Sequence, residues 1–156
     1  MADAVPIPAG PLVASPSSEE RTLATLAHVL QLVGWWIAPL VIFLLKRDSC
    51  FVAFHALQAL LLQIAYIAIW MVWMVGWFTV MFTLVLMQAS SHGNPPIAML
   101  MTFPLFWLGA VGMWMVLLVA AIVYGIKAGN GEWAEYPVLG RLARRWLKIG
   151  PGGGAL

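Results

Sequence analysis

The segment FHALQALLLQ places His55, Gln58 and Gln63 at the start of a long apolar run. An imidazole there could form hydrogen bonds between helices near a membrane interface, which contribute on the order of 1 kcal/mol per pair. It could instead be the axial ligand of a haem or a chlorin, with His28 as the other candidate ligand in a helical segment. Proton relay is the weakest alternative, because residues 49–126 contain no carboxylate to continue a chain. We therefore interpret His55 first as a hydrogen-bonding residue.

A helical arrangement of this segment puts its polar groups and several aromatic residues on one arc, because successive residues are turned by about 100°. The arc comprises His55, Gln58, Gln63, Tyr66, Trp70, Trp73 and Trp77. Polar side chains inside membranes face protein or water rather than lipid, so we predict that this contact stripe faces other helices or a partner. Stacking of its tryptophans on a chlorin, a carotenoid or a haem is the alternative, and bound lipids are expected.

No pattern of catalytic residues is present. The sequence lacks a nucleophile elbow, a phosphate-binding loop and a metal-ligand spacing. Glu132 and Glu135 are three residues apart but have no histidine near them in the sequence. Cys50 is the single cysteine, which excludes an internal disulfide and a multi-cysteine metal cage. These observations predict a protein that is not an enzyme and has no metal site.

The composition is that of a membrane protein. Apolar residues make up 63% of the 156 residues and charged residues 9%, whereas soluble domains carry about 25% charged residues. Residues 49–126 contain no Asp, Glu, Lys or Arg. Because one spanning helix needs ~20 apolar residues, this stretch can hold at least two. We therefore predict an all-α polytopic membrane helix bundle that does not bind nucleic acid.

The predicted elements follow from breaks in the apolar pattern. They are hydrophobic helices over about 19–45, 52–88 and 96–127 and a basic amphipathic helix over about 138–148. Together they form a single membrane domain over 19–148, between a disordered Pro/Ala/Ser-rich tail over 1–18 and a flexible Gly-rich tail over 149–156. Ser17 and Glu20 form a capping-box pattern at the first helix.

The first hydrophobic helix contains Gly34 and Pro39. A proline inside a helix removes a hydrogen bond and kinks or breaks the helix. Residues 19–45 therefore form either one bent span or a re-entrant pair of half-helices. The sequence leaves both alternatives open.

Basic residues lie in the first loop and after the third hydrophobic helix. The positive-inside rule then predicts a multi-pass protein of the bacterial inner (cytoplasmic) membrane with a cytoplasmic C-terminus. In the C-terminal segment VLGRLARRWLK, four basic residues share one side of a helix and suit contact with anionic lipids. They are Arg141, Arg144, Arg145 and Lys148. The alternative is a solvated helix that contacts the protein's own loops.

Three phrases together resemble a known family. The phrases EERTLATLAHVLQLVGWWIAPLVIFLLKRDS, FVAFHALQALLLQ and IVYGIKAGNGEWAEYPVLGRL resemble the Tic20-like membrane proteins of the DUF4870 type over roughly residues 19–142. The motif residues of this resemblance are His28, His55, Gln58, Asn130, Gly131, Glu132, Trp133, Tyr136 and Pro137. The second helix with its following loop is longer than is usual in that family, and the basic helix is more pronounced. Plant relatives are associated with the chloroplast inner-envelope import channel, which implies a translocation role by distant analogy.

Together these features predict a non-enzymatic accessory or scaffold subunit of a larger inner-membrane complex. Its partners would be membrane lipids and other integral membrane subunits, because three helices that are apolar nearly all round enclose little interior of their own. One alternative is a component of a protein-translocation channel, by analogy with Tic20. Another is a pigment- or haem-binding subunit of, for example, a photosynthetic or respiratory complex.

Overall fold

The computed structural model describes residues 15–91 and 97–150. The predicted tails therefore lie outside the described residues over positions 1–14 and 151–156, as does the loop 92–96. The described part is all-α, without a β-strand, as the composition predicted. Its helices are α1 (Ser18–Val29), α2 (Gln31–Gly34), α3 (Ile37–Leu45), α4 (Cys50–Ser91), α5 (Ile97–Gly129) and α6 (Leu139–Leu147).

Two of these helices, α4 and α5, are long and apolar enough to cross a membrane. Helix α4 has 42 residues and α5 has 33. At 1.5 Å per residue α4 is roughly 63 Å long, about twice the ~30 Å of a bilayer's hydrocarbon core. Pro104 lies inside α5, which continues through it. Both helices begin and end within a few residues of the predicted bounds.

The prediction of one hydrophobic helix over 19–45 is wrong, because this segment forms the three helices α1, α2 and α3. The break falls at Trp35, whose φ is 52°. Pro39 explains it, since proline has no N–H to donate and its ring clashes with the carbonyl four residues earlier, which belongs to Trp35. In the first turn of α3 the same proline is tolerated. The segment therefore consists of two arms joined by a turn at Trp35, with α1 and α2 before the turn and α3 after it.

The two ends of this segment lie side by side. Lys46 Nζ is 2.7 Å from Glu19 Oε1, and Ser49 Oγ donates to Glu20 Oε1 at 2.6 Å. The predicted capping box at the start of α1 is confirmed, because Ser17 accepts from the Glu20 amide and Glu20 accepts from the Ser17 amide. The helices α1, α2 and α3 thus form a hairpin whose two ends lie together. We call the polar contacts at these ends the polar base.

The hairpin, α6 and the loop 130–138 surround the first part of α4 and the end of α5; we call this assembly the head. Phe54, Leu57 and Leu61 of α4 form its apolar core with Ala143 and Ile149. On the other side α1 packs closely on α5, where Thr25 Oγ1 donates to the carbonyl of Gly125 at 3.1 Å. Beyond the head, α4 and α5 run together with mostly exposed apolar side chains.

Candidate functional site

A chain of hydrogen bonds runs through the middle of the head. The Tyr136 hydroxyl is 3.1 Å from His28 Nδ1, and His28 Nε2 is 3.1 Å from His55 Nδ1. His55 Nε2 is 3.1 Å from the carbonyl oxygen of Glu132. Both histidines have no exposed surface and Tyr136 is 4% exposed. The chain therefore joins α1, α4 and the loop 130–138 through three side chains that are out of contact with water.

The direction of each hydrogen bond in the chain follows from the acceptor at its end, the Glu132 carbonyl. A carbonyl can only accept, so His55 Nε2 carries the proton and, in a neutral ring, Nδ1 accepts. His28 must then donate through Nε2 and accept at Nδ1 from the Tyr136 hydroxyl. Every ring nitrogen is satisfied when both histidines are neutral. A further proton on His55 Nδ1 would face the His28 Nε2–H donor, and one on His28 Nδ1 would require the Tyr136 hydroxyl to accept instead of donate.

Burial keeps this network uncharged. Desolvation, and secondly the neighbouring His55, lowers the pKa of His28 from 6.5 to about 3. Desolvation raises the pKa of the Tyr136 phenol far above its usual value of 10. Both groups are therefore neutral near pH 7, as the directions of the hydrogen bonds require.

Gln31 is a member of this site that the sequence analysis missed. It is 1% exposed, and neither atom of its amide has a hydrogen-bond partner among the described residues. The amide lies beside the Tyr136 hydroxyl. A signal was present in the sequence, because residues three apart share a helix face and Gln31 follows His28 by three. The break between α1 and α2 obscures that periodicity.

Gln58 fastens the loop 130–138 to α4. Its Nε2 donates to the carbonyl of Ala134 at 3.1 Å, and its Oε1 accepts from the backbone N–H of Tyr136 at 2.8 Å. The Tyr124 hydroxyl of α5 donates to the carbonyl of Glu135 at 2.9 Å. A buried backbone outside helices and strands needs such partners for its polar groups. The polar half of the contact stripe thus supplies the hydrogen bonds that this loop cannot make to itself.

The other residues of the NGEWAEYP segment occupy the same loop. Trp133 lies between the rings of Phe51 and Phe54, with ring centroids 5.2 and 5.4 Å away. Gly131 has φ of 80°, and a Cβ there would stand 3.0 Å from Nε of Arg21, so this position requires glycine. Of the other motif residues in this segment, Asn130, Glu132 and Pro137 are exposed.

The contact stripe divides into two parts. Like His55 and Gln58, Gln63 is buried in the head, although its Oε1 has no partner among the described residues. Beyond the half-buried Tyr66, three tryptophans pack around one phenylalanine of α5. The centroids of Trp70, Trp73 and Trp77 lie 6.0, 6.3 and 4.8 Å from that of Phe106. The stripe therefore faces the protein's own helices along most of its length.

Axial ligation of haem or a chlorin by His55 or His28 would require the loss of one of these hydrogen bonds. Each of the four ring nitrogens already has a protein partner. Within the described residues no group of three metal-ligating side chains occurs. The arrangement of these hydrogen bonds is suited to holding the loop 130–138 against α1 and α4.

Helix α6 differs from the predicted interfacial helix in what its apolar face covers. Leu142 and Leu147 pack against the core of the head, so this part of the face contacts α4 rather than lipid, whereas Trp146 is exposed. Arg144 also turns inward, where it pairs with Glu135, donates to the Gly150 carbonyl at 2.6 Å and lies 4.8 Å above the Phe54 ring. Arg144 turns inward because α4 presents an apolar and aromatic surface beside the Glu135 carboxylate. Contact with anionic lipids stays a prediction for three exposed residues, Arg141, Arg145 and Lys148.

Replacement of Arg144 by glutamine is expected to lower the free energy of unfolding by about 2 kcal/mol, because Glu135 loses its partly buried partner and a carbonyl loses its donor. The adjacent exposed residue supplies the control, since Arg145→Gln should change stability by less than about 0.5 kcal/mol. Thermal unfolding of both variants in detergent measures the difference. Equal melting temperatures for the two variants would show that Arg144 is not held as described.

These features define a small α-helical membrane protein in which buried histidine and glutamine side chains hold an irregular loop against a long helix. The chain belongs to the magnetosome magnetite crystal formation protein family (MamF/MmsF), whose model matches residues 19–143. No curated protein and no solved structure matches the chain.

The resemblance to Tic20-like proteins of the DUF4870 type is therefore corrected. The phrases that suggested it lie wholly inside the region that the magnetosome family model matches, so they are read as phrases of this family. The translocation alternative rested on that resemblance and loses its basis with it.

Proposed function

We propose that this protein is a non-enzymatic accessory or scaffold subunit of the magnetosome membrane that contributes to the formation of magnetite crystals. The family match carries this proposal, because it covers both long helices and most of the head in one continuous region. The geometry supports a structural role, since the polar atoms of the head are used to fix the loop 130–138.

The proposed topology has α4 and α5 as the two spans, with the head at the cytoplasmic side. The start of α1, the end of α3 and the start of α4 lie together at the polar base. Lys46 and Lys127 lie at the ends of helices that reach this base, and the exposed cations of α6 belong to the same head. The positive-inside rule places such a region in the cytoplasm, together with the C-terminus.

The exposed surface beyond the head would contact lipids and other magnetosome membrane proteins. A groove of about 680 Å³ lies between α4 and α5 and is lined almost wholly by apolar groups, including Trp73, Trp77 and Phe106. Trp77 Nε1 is buried without a hydrogen-bond partner among the described residues. An acyl chain or an apolar helix fits such a surface.

Deletion of the gene in a magnetite-forming host tests the role in crystal formation. We expect crystals of altered size or number in electron micrographs, with recovery when the wild-type chain is restored. Restoration with Gly112→Ala should also recover them, because that position faces open space. Unchanged crystals in the deletion strain, with the tagged chain absent from purified magnetosome membranes, would refute the proposal.

A further inference from the structure

The protein has a very different width at its two ends. At the level of the head, α1, α3 and α6 lie beside α4 and α5, so five helices stand next to one another. Among the side chains of α4 that the structure describes, the buried ones lie from Phe51 to Gln63. Beyond that level only α4 and α5 continue among the described residues. Since a helix with its side chains is about 10 Å wide, the head occupies far more membrane area than the far end.

The hairpin of the head has an apolar tip. Val33 is 84% exposed and Trp35 is 62% exposed, and Trp36 and Ile37 beside them are also exposed. From Ser18 to the tip the hairpin reaches roughly 25 Å at 1.5 Å per residue, which is less than the ~30 Å of the hydrocarbon core. Exposed tryptophans of this kind are typical of the boundary between headgroups and acyl chains. The tip can therefore enter the leaflet on the head side without crossing the bilayer.

The outer face of α6 fixes the level of the head. Arg141, Arg145 and Lys148 are exposed on a helix whose other face packs on the first part of α4. Exposed cations of this density are suited to anionic headgroups and not to acyl chains. The head thus stands on the headgroup side of one leaflet, with its polar base toward water and the tip of the hairpin at the boundary with the acyl chains.

From this shape we infer that the head is a wedge in one leaflet, and that the protein concentrates on strongly curved membranes with its head on the convex face. A convex leaflet has more area at the headgroup level than the opposing leaflet, and shallow insertions at that level bind preferentially where curvature opens it. The protein has five helices at the head and two at the far end, so its width differs between the two leaflets in the same direction as their area. The inference goes beyond the proposed function and depends on insertion of α4 and α5, but not on any role in magnetite formation.

Sorting among liposomes tests the wedge directly. The full-length protein, labelled with a dye at the exposed Cys50, is reconstituted into vesicles of mixed size that contain anionic lipid, without any other protein. An impermeant quencher identifies the vesicles that carry the head outside. We expect the protein density per lipid area to be about two-fold or more higher on vesicles of about 50 nm than on those of about 400 nm. A density independent of diameter would overturn the inference.

A matched pair of variants separates the wedge from general hydrophobicity. The double variant Val33→Ser/Trp35→Gly removes the apolar tip, and glycine suits the positive φ at position 35, so folding is preserved. Trp107→Ala removes a tryptophan that is 61% exposed on α5, close to the 62% of Trp35. The tip variant should lose most of the preference for small vesicles and the control should keep it. Equal loss in both, or none in the tip variant, would contradict a wedge at the tip.

Because this experiment contains no iron mineral and no host membrane, its failure is distinguishable from failure of the proposed function. Curvature-dependent sorting with normal crystals in a deletion strain would support the wedge alone. Altered crystals with no sorting would support the crystal role alone.

Discussion

Replacement of His55 by alanine is expected to lower the free energy of unfolding by about 3–5 kcal/mol, the largest effect of any single change considered. The substitution leaves the buried His28 Nε2 without an acceptor and the Glu132 carbonyl without this donor. Each unpaired buried group costs about 1–3 kcal/mol, and the cavity left by the ring adds to this loss. The loop 130–138 should loosen as well, because His55 is one of its attachments to α4.

Thermal unfolding of the purified protein in mild detergent measures this effect. Val72→Ala is the matched control, since it lies on the same helix, is 74% exposed and should change stability by less than about 0.5 kcal/mol. A His55→Ala melting temperature equal to that of the control would mean that the hydrogen-bond chain does not stabilise the head.

The second large effect is expected for Gly140→Ala. A Cβ at this position would stand 2.6 Å from Glu135 Cβ, 2.8 Å from Gln58 Oε1 and 2.9 Å from the Glu135 Cα. Backbone cannot move aside as a flexible side chain can, so α6 must shift away from α4 and the Gln58 hydrogen bonds must stretch. We expect a loss of about 2–3 kcal/mol, which is the range for overpacking of a close contact.

Two measurements check this expectation. The melting temperature should fall, and hydrogen exchange of residues 130–147 should accelerate while that of α5 changes little. Gly112→Ala is the control with the opposite sign, because a Cβ there meets nothing within 4 Å and alanine favours a helix by about 1 kcal/mol over glycine. Faster exchange over 130–147 in the control, or none in Gly140→Ala, would contradict a tight contact between α6 and the loop.

The division of roles along α4 connects the fold to the proposed function. Its first part is enclosed by the head and carries the buried histidine and glutamines, whereas its later part is apolar and exposed. The same helix therefore anchors the head and forms a span. Any partner or lipid that contacts the exposed part contacts a helix whose other end is fixed by the hydrogen bonds of Gln58 and His55.

The sequence by itself determined the class of protein and the ends of its long helices. The apolar stretch 49–126 contains no formally charged residue and is therefore suited to an environment without water. In such an environment the backbone polar groups must pair with one another, and a helix pairs them within one segment. The capping box at Ser17 was equally local, because both of its partners lie within one turn. Such features depend on neighbours in the sequence, and these are visible without a structure.

Only the tertiary structure decided which groups the polar side chains reach. Helical periodicity placed His55 and Gln58 on one face but could not show that their partners are backbone groups more than 75 positions later. It placed Arg144 with the exposed cations, whereas a carboxylate and an aromatic ring of the head turn it inward. The physical reason is common to both cases. Periodicity fixes the direction of a side chain from its own helix, while its partner depends on how distant segments pack.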